Sequence, residues 1–282
     1  MNRRGLVLLT AIFTVGVVLA GALVFTQGVA LPLSETPTDT TKKITDRGLR
    51  FTETGSCVGF NYSYVAKENR TQVGAMGNLQ FMSNAGVYSA DYDRDGWTDV
   101  LVTGGEKPAL FENQNGTFQR SGELPTLNRS VQAGLFFDYD ADGWEDLLLL
   151  SVDKRPLLLE NTRGTFEARE GYFTDELEFP MGATAGDYDD DGIPEVFVFQ
   201  YARWSDRRPA GLSTRSAPMS DDNGNPNILF DWRDSGFTRV RDVGIDGERW
   251  SLAASFVDLN DDGQPDIHVA NDFNRDFLYV NR

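Results

Sequence analysis

Sulfur and imidazole are almost missing from this chain. Its 282 residues include one cysteine, Cys57, and one histidine, His268. A single thiol excludes an internal disulfide framework, so packing or metal must hold the fold. One His and one Cys leave no ligand set for zinc. No Ser-His-Asp order and no phosphate-cradling glycine loop is present. Lysine is scarce, with five residues against twenty-one arginines, and 26 basic side chains face 43 acidic ones, for a net charge of −17. That balance disfavours nucleic acid as a partner, because a phosphate backbone selects basic surface. Long amphipathic helical patterns are missing beyond the N-terminus. Only one long apolar run occurs, Leu6 to Phe25.

What is abundant is one acidic pattern in four copies. It reads Asp91-Tyr-Asp-Arg-Asp-Gly-Trp-Thr-Asp99, Asp138-Tyr-Asp-Ala-Asp-Gly-Trp-Glu-Asp146, Asp187-Tyr-Asp-Asp-Asp-Gly-Ile-Pro-Glu195 and Asp258-Leu-Asn-Asp-Asp-Gly-Gln-Pro-Asp266. Oxygen-bearing side chains stand at positions 1, 3, 5 and 9, with Gly at position 6. The candidate ligands are therefore Asp91, Asp93, Asp95 and Asp99; Asp138, Asp140, Asp142 and Asp146; Asp187, Asp189, Asp191 and Glu195; and Asp258, Asn260, Asp262 and Asp266. Calcium takes six to eight oxygens, and a tight loop turns alternate side chains toward one centre. Glycine permits the sharp bend. In an EF-hand the closing acid comes at position 12 and a helix follows; here it comes at 9 and a strand follows. Two carboxylates about 5 Å apart repel by roughly 3 kcal/mol at an effective dielectric near 20. A divalent cation relieves that repulsion near neutral pH. Up to four Ca²⁺ sites are expected.

The loops begin at 91, 138, 187 and 258, and their flanks repeat as well. A strand with small residues precedes each loop and an apolar strand follows it. A third strand comes next (Pro108–Asn113, Pro156–Asn161, Asn227–Asp231, Phe277–Asn281), then a glycine turn and, in three copies, a fourth strand. Repeats of 40–50 residues with four short strands predict the blades of an all-β propeller. The third unit carries an insertion, Ala202–Asn225, expected to be a surface loop. Arg203, Trp204, Arg207 and Arg208 are its candidate partner contacts.

These units resemble the FG-GAP/VCBS repeats of integrin α-chain propellers. More narrowly, they resemble the repeat region of the cartilage acidic protein family. The likeness rests on Ala85-Gly-Val…Asp91-Tyr-Asp-x-Asp-Gly, on Leu110 to Phe118 and on Val269 to Val280, and spans roughly 46–282. It implies an extracellular, calcium-loaded β-propeller with a ligand or adhesion surface rather than a shared chemistry. The family usually has seven blades. Only four full loops occur here, and the stretch 44–84 is expected to supply a motif-less blade or closing strands. Both a five-blade ring and part of a larger one fit the length. An incomplete ring would expose sheet edges and invite self-association.

Twenty apolar residues suffice to span a bilayer, and Arg3 and Arg4 favour an inside N-terminus. Residues 1–30 are expected to be a transmembrane anchor or a signal sequence. Residues 31–43 read as a polar linker and 44–282 as the propeller. Millimolar extracellular calcium suits loops of modest affinity, and the sequons at Asn61, Asn69, Asn115 and Asn128 agree with export.

Two functions compete. One is a non-catalytic adhesion module at the cell surface, binding an extracellular protein or glycan. The other is an extracellular polysaccharide-acting enzyme on the same scaffold. Glycoside chemistry needs two carboxylates at a set separation. The acids outside the loops (Glu106, Glu123, Asp175, Glu176, Glu178) mark no such pair, so no catalytic residue is assigned. His268 is expected to be structural, and Trp97 and Trp144 to pack against neighbouring blades.

Overall fold

The computed structural model of the chain describes residues 52–62, 86–104, 107–152, 154–201, 224–245, 247–272 and 275–282. The expected membrane segment 1–30, the linker 31–43 and the insertion up to 223 lie outside them, as do 44–51 and 63–85. Thr54–Arg282 forms one compact unit. Among the described residues every regular element is a strand.

Among the described residues fifteen strands make four antiparallel sheets. Sheet 1 holds β1 (Val87–Ala90), β2 (Asp99–Val102), β3 (Ala109–Gln114) and β4 (Thr117–Arg120). Sheet 2 holds β5 (Ala133–Phe137), β6 (Asp146–Leu150), β7 (Leu157–Asn161) and β8 (Phe166–Arg169). Sheet 3 holds β9 (Pro180–Gly186), β10 (Glu195–Gln200), β11 (Ile228–Arg233) and β12 (Gly236–Arg239), and sheet 4 holds β13 (Ser251–Val257), β14 (Asp266–Asn271) and β15 (Phe277–Tyr279). Strands follow chain order within each sheet. The acidic loops join first strand to second. Ala90 pairs with Asp99, Phe137 with Asp146, Gly186 with Glu195 and Val257 with Asp266, so the position-9 acid is the first residue of each second strand.

Successive sheets meet through their first strands: β1 lies beside β5, β5 beside β9 and β9 beside β13. Small residues permit that approach. A Cβ on Gly186 would stand 2.6 Å from the Phe256 ring of the next sheet. β6 and β10 are covered on both faces, which is why β6 reads as an unbroken leucine run rather than an alternation. Leu147 and Leu149 pack with Leu101, Leu110 and Tyr92 of sheet 1. Leu148 and Leu150 pack with Val196, Val198 and Phe230 of sheet 3. Each buried leucine contributes about 1.5–3 kcal/mol. Phe197 and Leu229 join Ile267 and Val269 in the same way between sheets 3 and 4. The outer side of sheet 1 is covered by Phe60 and Tyr62. On sheet 4 the corresponding positions are open: Leu278 is 54% exposed, and His268 lies exposed beside Asp276.

Candidate metal centre

Each loop folds around its own side-chain oxygens. The position-1 carboxylate accepts the position-6 glycine N–H: Asp91 from Gly96 at 3.0 Å, Asp138 from Gly143 at 2.7 Å, Asp187 from Gly192 at 3.0 Å and Asp258 from Gly263 at 2.9 Å. The position-5 carboxylate accepts the position-7 N–H: Asp95 from Trp97, Asp142 from Trp144, Asp191 from Ile193 and Asp262 from Gln264, all within 2.9 Å. The glycines take φ near +90°, as their place in the pattern predicts. Position 4 is left-handed too, at Arg94, Ala141, Asp190 and Asp261. The mixed residue types there gave no sign of it.

In the three loops that have an acid at positions 1, 3 and 9, the carboxylate oxygens come together. Oxygens of Asp91, Asp93 and Asp99 lie within 4.8 Å of one another, as do those of Asp138, Asp140 and Asp146, and those of Asp187, Asp189 and Glu195. The position-5 acids stand outside these tight groups, held in their own turns. In the fourth loop Asn260 replaces the position-3 carboxylate. It accepts from Asp262 N at 2.8 Å, matching the bond of Asp140 to Asp142 N at 3.2 Å.

The position-9 acids are buried and do more than close a shell. Asp99 accepts backbone N–H from Tyr92 (3.2 Å) and Asn113 (2.8 Å). Asp146 accepts from Tyr139 (3.0 Å) and Asn161 (2.7 Å), and Asp266 from Leu259 (3.1 Å) and Asn281 (2.9 Å). Asp99 and Asp146 therefore latch their loops to the third strand of their sheets, and Asp266 latches its loop to the residue two places past β15. Glu195 accepts from Tyr188 at 2.8 Å, but its second oxygen is buried without a partner. One oxygen of Asp91 is likewise buried and unpartnered. Burial pushes Asp99 up to about 6, Asp146 to about 7 and Glu195 to about 8, with neighbouring carboxylates adding to the rise. Asp93, Asp140 and Asp189 are raised for the same reasons.

A second tier of acids escaped the sequence reading. Glu112, Glu160 and Asp231 sit on third strands, and their charges act on Asp93, Asp140 and Asp189 respectively. The signal was present in the recurring Glu-Asn of β3 and β7 and the Asp-Trp of β11. Val280 stands at that place in sheet 4, so the fourth loop lacks two carboxylates that the others have. Trp97 is 43% exposed rather than packed away. Trp144 lies under the Arg94 guanidinium, 5.0 Å from the ring centre.

Residues 138–198, from loop 2 through most of β10, match the FG-GAP-like repeat model. No curated protein matches the chain. Among solved structures, an Agrocybe aegerita lectin described as recognising non-reducing terminal N-acetylglucosamine is similar, with a TM-score of 0.40 and 16% identity. The likeness covers 71% of this chain and 53% of that one, so the chain spans about half of the lectin's length. A likeness this slight transfers no ligand.

Proposed function

We propose that this chain is a calcium-stiffened β-propeller module. It is anchored at or secreted to the outer face of a membrane, and it binds an extracellular protein or glycan without catalysing a reaction. Sheets that succeed one another through their first strands, together with the FG-GAP-like repeat at 138–198, support the propeller. The observation that carries the metal is Glu195. A buried carboxylate oxygen with no partner, grouped with Asp187 and Asp189, has to be neutralised, by a proton in the metal-free chain or by a cation shared with its neighbours. A hard divalent cation with oxygen ligands does so, and Ca²⁺ suits an all-oxygen donor set of this kind.

The residues that would hold the ions are those at positions 1, 3, 5 and 9 of each loop, with the position-7 carbonyl. Bound calcium would supply charge neutralisation and a cross-link between the loop and the second strand. The chain's own part is already visible in the turns at positions 1 and 5 and the latches at position 9. Placement outside the cell rests on the apolar run Leu6–Phe25 and on the modest affinity such loops need there. The open face of sheet 4 is the place where self-association would occur. Calorimetric titration of the full chain with calcium should show several bound ions and a rise in melting temperature. No heat and no rise at millimolar calcium would sink the assignment.

A further inference from the structure

Resting on that calcium reading, we infer that the loops act as two coupled pairs, loop 1 with loop 2 and loop 3 with loop 4. Asn161 and Asn281 are the positioning residues that couple them. Asn161 is buried at the end of β7. Its backbone N–H donates to Asp146 at 2.7 Å, and its side-chain Oδ1 accepts from Gly164 N at 2.7 Å. Its Nδ2 donates to Glu145 O at 2.9 Å and, across the sheet boundary, to Tyr92 O at 2.8 Å. Tyr92 lies between Asp91 and Asp93, the first two ligand positions of loop 1. One residue therefore ties the backbone between two ligands of loop 1, through its side chain, to the closing acid of loop 2, through its backbone N–H. Both ends of that amide are committed, so a shift in either loop disturbs a directional bond in the other. Arg94 over Trp144 adds a contact from position 4 of loop 1 to position 7 of loop 2.

The junction of loops 3 and 4 repeats the design. Asn281 donates its backbone N–H to Asp266 at 2.9 Å and its Nδ2 to Tyr188 O at 2.6 Å. Gln264, at position 7 of loop 4, donates to Asp190, at position 4 of loop 3, at 2.9 Å. The middle junction differs. Trp232 occupies the asparagine's place and meets Tyr139 ring to ring at 5.3 Å. Positions 4 and 7 there are Ala141 and Ile193, with no polar group to offer. Ring packing tolerates a small slide that an amide bridge does not.

The consequence is ordering shared within each pair. An ion in loop 2 fixes Asp146, hence Asn161, hence the Tyr92 carbonyl, so the next ion in loop 1 meets a loop with less freedom to lose. The effect is reciprocal by linkage. Terbium tests it, since it takes oxygen-lined calcium sites and emits when excited through a nearby indole such as Trp144. In the full chain, the loop 2 signal is the component that Asp93→Ala retains and Asp93→Ala/Asp140→Ala loses. Disabling loop 1 with Asp93→Ala, which removes the ligand oxygen altogether, should weaken loop 2 by about fivefold or more, and by under about twofold in an Asn161→Ala background. Equal weakening in both backgrounds, or none in either, overturns the coupling. If Asn161→Ala does not fold, the same cycle runs on Asp189→Ala with Asn281→Ala, read by calcium calorimetry. A comparable weakening of loops 3 and 4 by Asp140→Ala would also overturn the pairing. An unmutated chain that binds neither ion would bring down the metal reading itself, a result distinct from binding without coupling.

Discussion

Arg169 grips Glu160 through two bonds, Nε to Oε2 at 2.6 Å and a terminal guanidinium nitrogen to Oε1 at 2.9 Å. Tyr139 donates its hydroxyl to the same carboxylate at 2.9 Å. The guanidinium holds Glu160 below the usual carboxylate range, so this neighbour of Asp140 stays ionised with its charge balanced by Arg169. Arg169→Ala should release that charge beside loop 2. Both partners are partly solvated, so screening limits the cost to about 1 kcal/mol in the metal-free chain. With calcium bound the loss should be smaller, because the ion takes over part of the neutralisation. Urea melts in chelator and in calcium measure both, and equal losses would refute this account of Glu160.

The raised carboxylates set a pH dependence with a definite sign. Asp99, Asp146 and Glu195 have folded values of about 6, 7 and 8, above their ordinary values of 3.8, 3.8 and 4.5. Between the ordinary and folded values the folded chain keeps protons that the unfolded chain has released. Stability from these groups is therefore full below pH 4 and lost as pH rises toward 8. Melting of the metal-free chain should fall from pH 5 to pH 8. In saturating calcium that fall should vanish or reverse, since protons and the ion compete for the same oxygens. Parallel slopes with and without calcium would contradict the prediction.

Leu158 and Leu278 hold the same place on the third strands of sheets 2 and 4. The first is 0% exposed among Leu148, Val196 and Phe230; the second is 54% exposed. Leu158→Ala should cost about 2–5 kcal/mol, the range for a core leucine. Leu278→Ala should stay within about 0.5 kcal/mol, as surface changes do. A large loss at Leu278 would mean that this face of sheet 4 is covered in solution.

The all-β, four-stranded units were legible because their signals are local. The Asp-x-Asp-x-Asp-Gly turns mark where strands begin and end, and Asp99, Asp146, Glu195 and Asp266 start their strands where the pattern put them. Small residues such as Gly186 gave away the close first strands. The site was legible only in part. Positions 1, 3 and 9 lie close together in the first three loops while position 5 stands apart, and the two latch bonds of Asp146 reach Tyr139 and Asn161, seven and fifteen residues away. Glu160 approaches Asp140 through pairing of β6 with β7, which a loop motif does not encode. Trp97 was expected to pack and is exposed, because an indole at position 7 reads alike whether or not an arginine from the preceding loop reaches it.

Ala141 carries a strain that can be relieved. It is exposed at position 4 of loop 2 with φ of 58°, a conformation in which a Cβ crowds the following carbonyl. Asp190 and Asp261 occupy the same place in loops 3 and 4, and short polar side chains of that kind tolerate it better. Glycine would remove the crowding but would add freedom to the unfolded chain. Asparagine removes most of the cost without that loss, so Ala141→Asn should stabilise the chain by about 0.5–1 kcal/mol. Ala168→Asn is the control. Ala168 is exposed on β8, where asparagine is a poor strand residue, and the change should be neutral or destabilising. Calcium affinity should rise slightly in Ala141→Asn, because the loop is then closer to its bound shape before the ion arrives. Chemical denaturation of both variants decides the matter: a destabilised Ala141→Asn would show that the left-handed turn at position 4 is not held in solution.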